Sequence, residues 1–233
     1  MTIRRLLILG PLFYLVVFFL YPLTAILARS LNSDSFMGLG PFSALLTDSY
    51  YLERIWFTIW QATVSTLLTV AIGLPMAYLF AKHQFPGKTV LKAVSTIPFI
   101  MPTIVVAMGF LALVGPQGIV NSVLVGSFNL DAPPVRVTNT LVIIFMAHAF
   151  YNYSIVVRIV STYWANLSPR LEESAAMLGA GRFETFVHVT LPLLLPAIVS
   201  SAVLAFAFAF TSFGAVLILG GPEFATLEVV TYE

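Results

Sequence analysis

Three residues could do chemistry in a part of the chain where polar groups are rare. His148, Tyr151 and Asn152 stand in the run FMAHAFYNYSIVVR at i, i+3 and i+4, which puts them on one helix face. Polar groups at membrane depth are costly against lipid, so such a face turns toward neighbouring helices or a water-filled path. The imidazole adds a titratable ring. A second stripe, Gln61, Ser65 and Thr69, repeats every four residues. It reads as interhelical hydrogen-bond glue, each bond contributing about 0.6–2 kcal/mol. For His148, Tyr151 and Asn152, glue and pathway lining both stay open. A third group is charged: Glu172, Glu173, Arg182 and Glu184 gather within thirteen residues of a chain that is 9% charged.

None of these groups reads as a catalytic or metal centre. His83, His148 and His188 are scattered singly and there is no cysteine, so no metal-ligand cluster or disulfide framework is available. The chain has no phosphate loop, no H-E-x-x-H and no G-x-S-x-G elbow. A membrane-embedded enzyme would need convergent catalytic groups, and no apolar stretch carries paired carboxylates. Asn152-Tyr-Ser and Asn166-Leu-Ser match the glycosylation sequon, but one lies inside an apolar span and the other at its inner end. A net charge of +1 argues against a nucleic-acid partner. The expectation is a protein that is not an enzyme and holds no cofactor.

The elements that position these residues follow from composition. Hydrophobic residues make up 59% of the chain and mean hydropathy is +0.97, values of a polytopic integral membrane protein. A span needs about 20 apolar residues. Five stretches qualify, near Leu6 to Ala28, Ile55 to Ala81, Val94 to Val114, Thr140 to Thr162 and Leu191 to Gly220. Arg4 and Arg5 precede the first, but its apolar run is longer than a signal peptide's and no small-residue cleavage site follows, so it reads as a retained helix. Pro75, Pro98, Pro102 and Pro196 fall within spans, where neighbouring helices can satisfy the freed backbone groups.

Lys and Arg placement sets the orientation. With a cytoplasmic N-terminus, the inner side collects Arg4, Arg5, Lys82, Lys88, Lys92, Arg158, Arg170 and Arg182. The outer side receives Arg29, Arg54 and Arg136. Loops Ser30 to Arg54 and Gly115 to Asn139, with Asp34, Asp48 and Asp131, then face outward. The charged segment faces the cytoplasm.

That segment opens on Ser168-Pro169, a candidate N-cap followed by a proline at the first helical position. Glu172 and Glu173 come early, where the helix dipole favours anions. Leu171, Ala175, Leu178 and Phe186 share one face; Glu173, Ala176 and Ala180 share the other. Gly179 and Gly181 free the chain to turn before Leu191-Pro192 opens the next span. From periodicity alone, an interfacial helix lying on the membrane is an equal reading.

The pattern Glu173-Ser174-Ala175-Ala176, Gly179-Ala180 and Val189-Thr190-Leu191-Pro192 closely resembles the EAA loop of ABC importer permeases. Six positions separate Glu173 from Gly179 and thirteen separate Gly179 from Pro192, as in that family. Ser174 departs from it at the first Ala position. IPFIMPTIVVAMGFLALVGPQG, AHAFYNYSIVVR and SFGAVLILGGPEFATLEVVTY are similar to the subgroup importing ferric iron, thiamine and related small cargo. The resemblance covers most of the chain beyond Trp56.

The resemblance implies an all-α fold, a type I importer transmembrane domain over 55–233, with residues 1–54 forming a first helix and outer loop. It implies a coupling helix at about 168–187 that docks on a cytoplasmic ATPase dimer, where ATP and Mg would be bound. Glu173 would supply a polar contact, and Ala176, Gly179 and Ala180 would permit close approach. Leu191 and Pro192 complete the coupling motif. Further implied partners are an extracytoplasmic solute-binding protein, a second permease half and the bilayer of a bacterial or archaeal inner membrane. Cargo stays open among iron, thiamine, polyamine and phosphonate. The alternative is a passive channel or structural bundle, which would not need the Glu173-to-Pro192 pattern. Five spans leave the C-terminus outside, so a further expectation is that the chain is part of a longer permease.

Overall fold

A computed structural model describes residues 2–31, 47–221 and 224–232, and these are helical with no strand among them. Asp34 and most of the outer loop assigned to 30–54 lie outside the described residues, as does Glu233. Among the described residues, five stretches are long and apolar enough to cross a membrane: Leu9–Arg29, Ser49–Lys82, Thr103–Phe128, Leu141–Ala165 and Arg182–Phe210.

The chain divides into two compact units, Met1–Glu53 and Arg54–Glu233. In the first, α1 runs over residues 2–31 with a π turn at Val16–Leu20. Its apolar residues lie on every face and none in Leu9–Arg29 is buried.

The second unit is built on α2 (Ser49–Lys82), which enters it at Arg54, and α6 (Leu141–Ala165). Between them lie α3 (Lys88–Ile100), α4 (Thr103–Val114) and α5 (Ile119–Phe128). After α6 come α7 (Pro169–Met177), α8 (Arg182–Phe210), α9 (Phe213–Leu219) and α10 (Leu227–Tyr232). Gly73 lets α2 approach α6: a Cβ there would stand 2.7 Å from Val156. Small residues allow this backbone proximity in membranes, where packing replaces hydrophobic expulsion. Two apolar clusters form along α6. One holds Ile143, Ile144 and Ala147 with Val216 and Leu219; the other holds Val156, Val160 and Trp164 with Ala77, Leu194 and Ala197. His148 and Asn152 fall between them.

Two expected spans are corrected. The stretch Val94 to Val114 is not one helix, because it breaks at Met101-Pro102. Pro102 has no N–H to continue the ladder, and Met101, preceding it, is driven to an extended ψ of 141°. The last stretch neither begins at Leu191 nor runs unbroken to Gly220. It starts at Arg182, ends at Phe210 and resumes at Phe213. Leu191-Pro192 is therefore inside a continuous helix. A π turn at Phe186–Thr190 precedes it, and Leu191 N–H bonds the carbonyl five residues back, at Phe186. This wider turn accommodates a proline that cannot donate to the carbonyl four residues back. The same device precedes Tyr21-Pro22 in α1.

Candidate functional site

The charged segment folds as α7, a tight turn and the start of α8. Ser168 occupies the N-cap position without a side-chain cap bond, and Pro169 stands at the helix start. The end of α7 is a Schellman motif: Ala180 N–H donates to Ala175 O at 3.1 Å and Gly179 N–H to Ala176 O at 3.0 Å. Gly179 adopts φ +89°, a conformation that costs other residues about 1–2 kcal/mol. The interval from Glu173 to Gly179 is thus a short helix followed by its obligatory left-handed stop. Glu184 then accepts Gly181 N–H at 3.0 Å, opening α8.

Of the two adjacent glutamates, Glu172 makes the internal contacts. Its Oε2 pairs with Lys82 Nζ at 2.7 Å and its Oε1 accepts the Thr190 hydroxyl at 3.1 Å. One carboxylate therefore ties α7 to the end of α2 and to the π turn of α8. Glu173 is exposed and makes no ion pair among the described residues. Ala176 and Ala180 line, with Glu172, Tyr78 and Trp164, a cavity of about 770 Å³ beneath α7. Trp164 packs against Tyr78 and Phe186, ring centroids 5.3 and 6.1 Å away. Leu191 is half-buried and Pro192 exposed. Met177 and Leu178, at the tip, are 89% and 90% exposed. Leu171 and Phe186 are exposed as well, at 45% and 38%, and no residue of α7 is buried.

The polar stripes meet at the other candidate site. Ser65 Oγ bonds His148 Nδ1 at 3.0 Å, and Gln61 Nε2 donates to Ala209 O at 3.1 Å. Gln61 thereby satisfies a carbonyl left open where α8 ends before Thr211-Ser212. Thr69 donates to Ser65 O within its own helix. His148 and Asn152 are buried, and His148 Nε2 and Asn152 Oδ1 have no hydrogen-bond partner among the described residues. Both residues, with the half-buried Tyr151, line a cavity of about 320 Å³ at the two helix breaks.

A sequence model of the family described as "Binding-protein-dependent transport system inner membrane component" matches residues 69–229. The chain belongs to this family. Its relatives are transport permeases rather than enzymes. The sulfate transport system permease protein CysT of Escherichia coli (strain K12) is 30% identical over 90% of this chain and 72% of the relative. The thiamine transport system permease protein ThiP of Brucella abortus (strain 2308) is 32% identical over 90% of this chain but 38% of the relative. In fold, the permease is similar to a bacterial ABC transporter involved in import of the acidic polysaccharide alginate. That match has a TM-score of 0.78 at 18% identity, covering 99% of this chain and 82% of that one.

Sequence reasoning on this permease missed Glu172, Lys82 and Thr190 as the contacts holding α7. The signal available was weak: Glu172 and Glu173 are adjacent, and only the third dimension distinguishes them. It also missed Thr103 and Ser212 at the cavity with His148: a proline within a span reads equally as a tolerated kink, and the break at Thr211-Ser212 carries no proline or glycine to announce it.

Proposed function

We propose that this permease forms part of a path for a small solute and is driven by a separate ATPase that docks on α7. The observation carrying this reading is the α7 turn, where Gly179 presents Met177 and Leu178 outward while Glu172 holds the helix to α2 and α8. A lever needs an exposed docking end and a firm internal attachment, since packed helices move as units. The exposed Glu173 supplies a polar contact to the ATPase, where ATP and Mg are bound. Ala176, Gly179 and Ala180 keep side-chain bulk low at the approach. Leu191 and Pro192 continue the motif into the span that would be moved. A second permease half and an extracytoplasmic solute-binding protein complete the assembly in an inner membrane, with the N-terminus cytoplasmic.

His148, Tyr151 and Asn152 line the path in this reading. Sulfate and thiamine, named for the relatives, are the cargo to test first. The permease is reconstituted in proteoliposomes with its ATPase and binding protein, and uptake of each solute is followed with and without ATP. ATP-dependent uptake of a small solute is expected. Uptake down a gradient without ATP, unchanged by the ATPase, would instead describe a passive channel.

A further inference from the structure

One face of α6 changes character part-way along the helix. Taken every fourth residue, it begins with Val142, Met146 and Phe150, apolar and 53%, 41% and 43% exposed. The same series continues as Ser154, Arg158, Thr162 and Asn166, all polar. At a rise of about 1.5 Å per residue, Arg158 lies about 10 Å along the helix from its end at Ala165, inside the apolar stretch Leu141–Ala165. A charge in such a stretch is costly against lipid and is kept where it faces water or a partner. Arg158 is exposed, and its guanidinium has no hydrogen bond or ion pair among the described residues. Cavities follow the polar half of this face. One of about 250 Å³ is lined by Thr96, Phe99, Ser154 and Arg158. The next, of about 510 Å³, is lined by Arg158, Thr162 and Asn166, with Ser200 of α8 opposite. Arg158 is common to both. Tyr151 and Phe208 line the cavity near His148, and the ring of Phe99 packs on both, with centroids 5.9 and 5.4 Å away. These three rings stand between the His148 cavity and the two cavities around Arg158.

We infer that the polar half of this face lines the part of the solute path nearest α7, and that Arg158 makes that part selective for small anions. The inference rests on the permease reading, in which Tyr151 already lines the path, and adds to it a charge and a ligand class. Charged side chains along a pore select ions of the opposite sign, Arg and Lys for anions. The planar guanidinium can meet two oxygens of one oxyanion at once. No Asp or Glu lines either cavity to neutralise it. A single cation suits a passing station, because conduction needs binding weak enough to release. The larger cavity has the volume of about 17 waters, so a small anion can pass with part of its hydration. A lipid phosphate is the rival occupant. It would draw Arg158 toward the bilayer surface, and would need no polar cleft on the deeper side, where Thr96 and Ser154 lie.

The test reads the local potential by thiol labelling and does not depend on coupling to an ATPase. Thr162→Cys places a single thiol in a chain that has no cysteine, one helical turn from Arg158. The full permease in lipid nanodiscs is treated with methanethiosulfonate reagents carrying a sulfonate, a trimethylammonium group or no charge. Each rate is divided by the same reagent's rate with a small free thiol. A charge about 6 Å away in water changes local concentration about threefold, in opposite directions for the two charged reagents. Their rate ratio should therefore favour the sulfonate by about tenfold. Arg158→Gln should return the ratio to about one, while Arg158→Lys, which keeps the charge, should retain the bias. Raising salt to about 1 M, where the Debye length is about 3 Å, should erase the bias with Arg158 in place, a measurement that stands even if Arg158→Gln fails to insert. Labelling by the uncharged reagent alone would put this face against lipid, and labelling by none would put it against another subunit; either result overturns the path assignment. Charged reagents that react without bias, or with a bias that persists in Arg158→Gln, would overturn the anion assignment. ATP-driven uptake, measured separately, decides the permease reading.

Discussion

Replacing Gly179 tests the coupling turn most simply. Its φ of +89° is the left-handed conformation required by the Schellman end of α7, where two hydrogen bonds close on Ala175 and Ala176. A Cβ at this position would meet nothing within 4 Å, so the penalty comes from the backbone and not from crowding within the chain. For an ordinary residue that penalty is about 1–2 kcal/mol, enough to shift the turn's equilibrium by a factor of about 5 to 30. Gly179→Leu adds bulk on the exposed side where the ATPase is proposed to dock. Gly179→Asn should lose much less, because Asn tolerates positive φ. The assay is ATP-driven uptake in proteoliposomes, with membrane insertion and ATPase co-purification measured alongside. Gly179→Leu should abolish coupled uptake while the protein still inserts, and Gly179→Asn should retain most of it. Uptake within twofold of the parent for Gly179→Leu, with normal ATPase association, would refute the reasoning.

Glu172→Ala removes a half-exposed ion pair of at most about 1 kcal/mol and leaves the buried Thr190 hydroxyl without its acceptor, about 1–3 kcal/mol more. A total near 2 kcal/mol predicts about a 30-fold loss of coupled uptake, against about fivefold or less for Glu173→Ala, which loses one surface contact of about 1 kcal/mol; equal losses would refute the clamp. Gly73→Leu should lower the Tm of the purified protein, because a Cβ 2.7 Å from Val156 forces α2 and α6 apart at about 1–3 kcal/mol; an unchanged Tm would show that the interface is looser than described. Asn152→Leu should slow transport about tenfold, the effect of one hydrogen bond near 1.4 kcal/mol, while assembly and binding-protein affinity stay as they were. Unaltered transport would make Asn152 structural.

The features readable from sequence are those set by local backbone chemistry. Gly179 and its distance from Glu173 specify a short helix and its stop, and Pro169 marks where that helix starts. Pro102 was visible too, but treating it as a tolerated kink missed that Pro98 and Pro102 together with an extended Met101 divide the span. The break at Thr211-Ser212 has no proline or glycine of its own. It is stabilised by Gln61 donating to Ala209 O, a contact 148 positions away in sequence. Ser65 and His148 were each legible as polar residues on helix faces, yet their pairing depends on how α2 and α6 cross. Leu191-Pro192 gave a misleading boundary because a π turn lets α8 continue through the proline.

The most direct test of ATPase docking at the tip of α7 is site-specific crosslinking. Leu178→Cys is introduced into the cysteine-free chain, a single cysteine is placed in the ATPase cleft, and membranes are oxidised with and without ATP. Val142→Cys, exposed at the opposite end of α6 from α7, serves as control. A permease–ATPase crosslink from Leu178→Cys whose yield changes with nucleotide, and none from Val142→Cys, is the expected result. Efficient ATP-driven uptake with no crosslink from Leu178→Cys, or with the crosslink arising from Val142→Cys instead, would contradict it.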